Sequence, residues 1–520
     1  MLLKTLLAKP PPAVLGCDVL VVGGGSGGLA CAQAASRLGQ SVVLCDYVRP
    51  SDHTGTVWGL GGTCVNVGCV PKKLFHRAGY FGQCLQDGEL AAFGFEQSTG
   101  GAADWTTLRT MVQNHVKMLN FTYRSSLPPN CQYINSSVQF HGNEGVRINN
   151  NATKLEVKKA IVIAVGGRPI FPPIPGAELG ISSDDVFSLN ESPGRTLVVG
   201  SSYIGLETAS FLNAIGLDTT LLVRSRPLRG IPGFDSDCAD KLLSQISDKL
   251  QVKRGTELVG LATGDGGKQI RAAFADGSME QDYDTVLFAT GRLPEVSGRL
   301  GQLPSSIKVN PSSGKIQVDP NTFVAAGAGS EMPTVYAIGD CAETGSPELT
   351  PVAIRQGELV ARHVANLPRS TRQWDSLHMV PSTVFSLPSE YSRAGMSEQE
   401  AVHKFGADDV EVYQREWEPL ETGAAHVNSS SGTGRAYCKL VAIKSQHERV
   451  VGLHLITPTS SEAIHGLALS LALGATKDDF DSRVLGIHPT DGEALLDMTV
   501  TKASQQDYKV ASGCGGGKCG

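Results

Sequence analysis

The sequence predicts an α/β chain with two doubly wound parallel-sheet units followed by a smaller α+β domain. A strand–glycine turn–helix–strand passage occurs once near the N-terminus, and a second copy begins at Thr196. From about Pro381 the texture changes to long strand candidates and then helices. In the first passage, the apolar run Cys17–Val22 stops at glycine and a helix-like stretch covers Gly28–Leu38. Ser41–Cys45 then forms a second strand beside Asp46. In the second passage, Thr196–Val199 runs into Gly200, Leu206–Ile215 reads as helix, and Asp218–Val223 reads as strand. Strand-rich segments ending in tight turns occupy Ala160–Pro169, Thr285–Pro294 and Thr334–Asp340, and the polar segment Asn428–Arg435 reads as a hairpin loop.

Composition narrows the function. At 520 residues the chain has room for three or four domains, each able to bury a core without disulfide staples. Its 45 basic and 51 acidic residues leave a net charge of −6, which argues against a general nucleic-acid or anionic-membrane binder. The longest apolar stretches, Ala160–Val165 and Leu467–Leu473, fall well short of the ~18 residues a membrane span needs. Twelve cysteines are too sparse for a secreted disulfide scaffold, and sixty glycines occur in clusters. The first fifteen residues lack the apolar core and cleavage site of a secretory signal and read as a plain leader of a cytoplasmic protein. A mitochondrial or other organelle-targeting remnant of a longer precursor is the alternative.

Each βαβ passage implies a nucleotide site. Gly23, Gly25 and Gly28 follow a strand and open a helix, and Asp46 lies 18 residues beyond Gly28. The first glycine permits the tight turn, the second admits a pyrophosphate, and the third lets helix and strand pack closely. The helix N-terminus offers free N–H groups, and Asp46 suits a ribose hydroxyl. The second unit, Gly200-x-Ser202-x-x-Gly205, replaces the middle glycine with serine. Its second strand ends in Arg224, with Arg226 and Arg229 close behind, where an NAD site carries an acid. Cations at that place suit the 2′-phosphate of NADPH.

The stretch from Gly61 to Lys73, GGTCVNVGCVPKK, places Cys64 and Cys69 five residues apart. In a regular helix their Cα atoms would be about 8.6 Å apart, whereas a disulfide tolerates about 6.8 Å at most. A bridge therefore requires a distorted backbone around Gly68. A thiol at a helix start also faces the positive dipole end, which favours thiolate. By themselves the two cysteines could be buried spectators or half of a zinc site, although zinc normally wants two closely spaced pairs two to four residues apart, joined by His or Cys elsewhere.

GGTCVNVGCVPKK resembles the active-site signature of the flavin-dependent pyridine nucleotide–disulfide oxidoreductases, which include glutathione reductase, dihydrolipoyl dehydrogenase and the high-molecular-weight thioredoxin reductases. The likeness extends from Cys17 to the C-terminus through GGGSGG (Gly23–Gly28), AVGGRP (Ala164–Pro169), ATGRLP (Ala289–Pro294), AIGDC (Ala337–Cys341), LTPVAI (Leu349–Ile354) and GIHPT (Gly486–Thr490). The loop Asp46–Thr56 leading into Trp58–Gly61 is similar to the thioredoxin reductase branch. The resemblance implies a glutathione-reductase-like fold. An FAD-binding domain would cover residues 16–165 with a central segment at 293–368, and an NADPH-binding domain residues 166–292. An interface domain would cover residues 369–506 and a redox tail residues 507–520.

It also implies roles for individual residues. Cys69 is the thiol against the flavin and Cys64 the interchange thiol. Lys72 and Glu207 form an ion pair near the flavin. Thr63, Asp340 and Thr350 join Gly23, Gly25, Gly28 and Asp46 around FAD. Tyr203 is the lid of the nicotinamide pocket, and Ile204, Gly205, Gly200, Ser202, Gly291, Arg224 and Arg229 contact NADPH. His488 and Glu493 are the acid–base pair, and in the family this histidine reaches the cysteine pair of the partner subunit in a head-to-tail homodimer. A histidine titrates near neutrality, which suits an exchange that consumes some thiolates and protonates others.

The chain ends in Cys514-Gly-Gly-Gly-Lys518-Cys519-Gly, an ending similar to that of apicomplexan thioredoxin reductases. A terminal glycine-spaced dithiol has the composition of a flexible carrier that could take two electrons inside and deliver them to thioredoxin outside, and Lys518 favours the Cys519 thiolate. The chain therefore reads as an NADPH-dependent thioredoxin-disulfide reductase. The alternative is a glutathione reductase-type enzyme with an idle tail. Arg224 and Arg229 argue against dihydrolipoyl dehydrogenase, and the lack of a histidine or second cysteine pair near the tail argues against a metal-delivery arm. The other cysteines (17, 31, 45, 84, 131, 238, 341 and 438) read as ordinary thiols, Cys341 beside Asp340 being the one candidate exception.

Overall fold

The computed structural model describes residues 14–96, 102–148, 152–264, 266–278, 281–294, 296, 298–327, 332–368, 377, 379–425 and 435–510. Most of the leader, the polar loop before Arg435, and the tail cysteines Cys514 and Cys519 lie outside these residues. Among the described residues no helix is long and apolar enough to cross a membrane.

In the first sheet, the strand Val14–Val22 lies between Val42–Asp46 and Thr153–Ile163, parallel to both, with Cys131–Asn135 beyond the first and Thr334–Ala337 beyond the second. Within them Val19–Val22, Val42–Cys45 and Ala160–Ile163 are continuous, buried apolar runs because helices cover the sheet. The second sheet is all parallel, in the order Gln251–Arg254, Thr219–Val223, Thr196–Val199, Thr285–Phe288, Ile181–Ser182. The third is antiparallel, in the order Ser382–Val384, Glu390–Gly395, Arg449–Thr457, Ala436–Ile443, Val410–Trp417. The helices Glu398–Phe405 and Ser460–Ala472 accompany it.

The two parallel units repeat one contact. A Cβ on Gly28 would lie 1.9 Å from the Gly23 carbonyl oxygen, and a Cβ on Gly205 would lie 1.9 Å from that of Gly200. The third glycine of each turn is thus required by backbone packing, before any ligand is considered. Both glycine helices begin earlier than the apolar pattern suggests: Ser26–Arg37 rather than Gly28–Leu38, and Tyr203–Ala214 rather than Leu206–Ile215. The turn itself sets the helix start, so the first N–H groups point back over the carboxyl ends of the strands.

The second unit and the C-terminal domain are joined by buried charge. Lys439, fully enclosed on its strand, donates to Asp235 at 2.9 Å, Asp237 at 2.7 Å and Glu398 at 2.7 Å. Burial alone would push the ammonium toward neutrality, and the carboxylates around it hold it protonated. Lys439→Met removes the cation and leaves buried carboxylates uncompensated. A loss of ~3–5 kcal/mol of unfolding free energy is expected, seen as a lower urea midpoint for this part of the protein.

Candidate active site

The Cys64–Cys69 segment folds as two helices, not one. Gly62–Val67 ends at Gly68, whose φ of −135° and ψ of −117° leave the helical region, and Cys69–Gln86 starts immediately afterwards. This break supplies the distortion that the five-residue spacing demands. The short first helix is held by amides: buried Asn66 donates to the carbonyls of Gly59 (3.1 Å) and Gly62 (2.8 Å). Asn120 in turn donates to Leu60 O at 2.7 Å and Asn66 Oδ1 at 2.9 Å. Neither asparagine stands out in the sequence, because its partners are backbone carbonyls and an amide that no local pattern marks.

Both cysteines are free thiols here, Cys64 half-buried and Cys69 exposed. Their side chains adjoin closely enough for the Cys64 S–H to favour a thiolate at Cys69. That S–H lowers the Cys69 pKa to about 6 against the opposing effect of burial, with Thr350 Oγ1 at 3.7 Å and the Lys72 ammonium assisting. The same interaction, then burial, drives Cys64 strongly upward. Cys69 also begins an 18-residue helix, where the macrodipole favours an anion.

Lys72, one turn along that helix, pairs with buried Glu207 of the second glycine helix at 3.0 Å. The C-terminal domain completes the pair. Phe385 N–H donates to Glu207 Oε1 at 2.9 Å, and the Phe385 ring carries the Lys72 and Lys73 ammonium groups at 3.9 and 4.1 Å from its centroid. Phe385 was missed because an aromatic after a short strand reads as core.

Gly23, Asp46 and Asp340 all follow the carboxyl ends of strands of the first sheet, where ligands bind in open α/β sheets. Asp46 accepts the Gly24 N–H at 2.9 Å, and burial raises its carboxyl above the usual range. Asp340 is likewise raised, by burial and then by Glu348, and has no hydrogen-bond partner among the described residues. It lines a shallow cleft with Glu348, Leu349 and Ala353 at the start of the helix Thr350–Val364. Two recessed carboxylates with free acceptor capacity fit the hydroxyls of a flavin nucleotide, and the N–H groups of the glycine turn beside them fit its phosphates. Thr63 accepts from Arg292 at 3.2 Å, and Arg292 also binds Asp184 (3.2 Å) and Gly167 O (2.7 Å). Arg292 thus ties the two nucleotide units together beside Gly291, although the sequence marks it only as part of ATGRLP.

At the second turn, Gly200, Ser202, Tyr203, Ile204 and Gly205 lie on the glycine loop and first helical turn, close to Gly291 through the Gly200–Ala289 contact. Arg224 is exposed and pairs loosely with Glu257 at 3.5 Å, and Arg229 is exposed. Arg226 is taken up by Asp240 at 2.8 Å. His488 Nδ1 lies 3.1 Å from Glu493 Oε2, so the carboxylate can orient the ring. The pair is on the surface of the C-terminal domain, after the strongly exposed apolar side chains of Leu485 (94%) and Ile487 (77%). All eight remaining cysteines are buried. Cys341 is one of them, its thiol pushed up to about 11 by burial.

Two nucleotide turns around a paired cysteine site define a disulfide oxidoreductase. Residues 17–357 match the pyridine nucleotide-disulphide oxidoreductase family and residues 380–499 match its dimerisation domain, so the chain belongs to that family. Membership carries the use of a flavin and a nicotinamide nucleotide and assembly as a homodimer. The chain is 41% identical to thioredoxin reductase SEP1 of Emiliania huxleyi over 514 residues, covering 96% of this chain and 98% of that one. It is 39% identical to a thioredoxin reductase of Plasmodium falciparum (isolate FCH-5) over 522 residues, covering 97% and 92%.

In the reduced protein, alkylation of Cys69 should rise through a midpoint near pH 6. Cys64→Ala removes the leading stabilising donor and should move that midpoint up by about one pH unit. A wild-type midpoint near an ordinary ~8.5 would refute the arrangement.

Proposed function

We propose that the protein is an NADPH-dependent thioredoxin-disulfide reductase that uses FAD, the Cys64–Cys69 pair and the terminal Cys514–Cys519 pair. The observation that carries this reading is the broken helix, which sets a stabilised thiolate beside the Lys72–Glu207 pair, between two nucleotide turns. The relatives' names and the terminal dithiol support thioredoxin as the acceptor.

FAD, when bound, supplies the two-electron link between NADPH and the cysteine pair. Gly23, Gly25, Gly28, Asp46, Thr63, Lys72, Asp340 and Thr350 would hold it. Gly200, Ser202, Tyr203, Ile204, Gly205, Glu207 and Gly291 would receive NADPH, with Arg224 and Arg229 on its 2′-phosphate. Once the pair is reduced, the Cys64 thiol passes its proton to the partner's His488 as its sulfur attacks the Cys514–Cys519 disulfide of the partner. One S–S bond forms as another breaks, and the departing tail thiolate is protonated. Cys69 then attacks Cys64, restoring the first disulfide and freeing the tail dithiol, so two electrons have moved outward. His488, oriented by Glu493, donates and recovers the proton across a head-to-tail homodimer. The exposure of His488 supports this, since it stands on the surface of the domain that dimerises. Thioredoxin lies at about −270 mV, so both internal dithiols must sit near or below that potential.

Deleting residues 513–520 tests the acceptor. Thioredoxin reduction should fall at least ~100-fold while NADPH still reduces the first cysteine pair. Glutathione reduction that survives with no loss of disulfide turnover would sink the reading. Arg224→Gln/Arg229→Gln tests the nucleotide. Losing two charge-assisted contacts should raise KM for NADPH ~10–100-fold and leave that for NADH nearly unchanged.

A further inference from the structure

Beyond the dimerisation-domain match, residues 500–510 run back along the outer edge of the third sheet. Gln414 N–H donates to Val500 O at 3.1 Å and Lys502 N–H to Val412 O at 2.8 Å, an antiparallel pairing. After a turn, Glu416 N–H donates to Tyr508 O and Val510 N–H to Glu416 O, both at 2.9 Å, as a parallel pairing. Edge strands need such cover, and backbone bonds alone provide it. Side chains add two ionic fastenings. At the first, Lys502 donates to Glu398 at 2.7 Å and lies 3.6 Å from Asp237. At the second, Glu416 accepts from Lys241 at 2.9 Å and from Arg435 at 2.8 Å. Lys241 also donates to the Tyr508 hydroxyl at 3.1 Å, and Arg435 Nη2 to the Val510 carbonyl at 3.2 Å. The Tyr508 ring stands against Tyr437, with centroids 6.0 Å apart. Lys241 belongs to the helix Ser236–Ser247 of the nucleotide unit, whose Gln245 also donates to Arg435 O at 2.7 Å.

Edge cover does not call for three charged groups and a tyrosine gathered on the last three residues of the strap. We propose that Lys241, Glu416, Arg435 and Tyr508 are positioning residues for the terminal dithiol, fixing the point at Val510 from which Cys514 and Cys519 extend. Cys514 is four residues beyond Val510 and Cys519 nine, so their reach is at most about 14 and 31 Å. If the second fastening opens, the next fixed point is Lys502 and the spacer to Cys514 grows from four to twelve residues. The effective concentration of a tethered group falls roughly as the −3/2 power of spacer length, so a threefold longer spacer lowers it about fivefold.

This inference rests on the proposed role of the tail, and the test separates the two. Oxidised holoenzyme is mixed rapidly with NADPH, and alkylated thiols are counted by mass spectrometry at Cys64/Cys69 and at Cys514/Cys519 over time. In Lys241→Met/Tyr508→Ala, labelling of the first pair should keep its wild-type rate, while labelling of the tail pair slows by at least twofold and at most about fivefold, the limit for full opening back to Lys502. Tyr508→Phe, which keeps the ring packing, should slow it less. Should the double variant not accumulate, Lys241→Met alone serves, with a smaller slowing of the tail pair only. Unchanged tail labelling, or equal slowing of both pairs, overturns the anchor. If the wild-type tail pair never becomes labelled on adding NADPH, the role of the tail fails, and the anchor with it. Tail labelling that appears in wild type but ignores the anchor variants overturns the anchor alone.

Discussion

The site depends on one geometric constraint: two cysteines five residues apart must meet, and regular helix keeps them too far apart. The chain meets it by stopping one helix at Val67 and starting another at Cys69, with Gly68 between them outside the helical region. The break brings the two thiols within hydrogen-bonding reach and sets Cys69 at a fresh helix N-terminus, where a thiolate is favoured. It also places Lys72 one turn along the new helix, within 3.0 Å of Glu207. A continuous helix would have given none of the three. The cost is a short first helix with few bonds of its own, and the Asn66 and Asn120 amides offset it by tying that helix to the preceding loop.

Around this site the same unit is used twice. The Gly28–Gly23 and Gly205–Gly200 contacts have the same 1.9 Å Cβ approach, so both helices lie equally close on their strands and begin directly at the turn. What differs is the chemistry beyond the turn. The first unit offers the recessed carboxylates Asp46 and Asp340, while the second offers exposed Arg224 and Arg229. Recessed acids complement hydroxyls, and exposed cations complement a phosphate that remains partly solvated. Arg224 already shares a loose surface contact with Glu257, so exchanging it for a phosphate involves little desolvation.

The sequence shows what is contiguous and chemically marked. The glycine turns, the cysteine stretch, Lys72 and the His488–Glu493 spacing are all short-range patterns whose residue types have few other uses. It is silent where function depends on residues brought together from distant segments. Phe385 lies 178 residues from the Glu207 it donates to, and Arg292 lies 229 residues from Thr63. Lys439 sits in AYCKLVAI, where alternation alone would turn a lysine outward; instead both faces of that strand are buried and three carboxylates from two other helices enclose the ammonium. Helix starts were misplaced by two or three residues for a related reason. Apolar periodicity registers side-chain packing, whereas the start of each of these helices is set by its glycine turn, where glycines offer no side chain to register.

Lys439 and the strap raise the question of why so much charge is committed where the nucleotide unit meets the C-terminal domain. Apolar packing would hold the two together without choosing one arrangement, because hydrophobic contact is non-directional. Ionic groups with fixed partners are directional, and the buried ones are strongly penalised if the partners move apart. Asp235, Asp237 and Lys241 are close in sequence, on or just before one helix of the nucleotide unit. Together they reach three places on the C-terminal domain and its strap: Asp235 and Asp237 share Lys439, Asp237 also pairs with Lys502, and Lys241 bonds to Glu416 and Tyr508. A helix fastened at three points cannot rotate or slide without breaking one of them. A carrier that passes electrons between groups on different domains needs that rigidity, because thiol–disulfide exchange occurs only when the sulfurs come into contact.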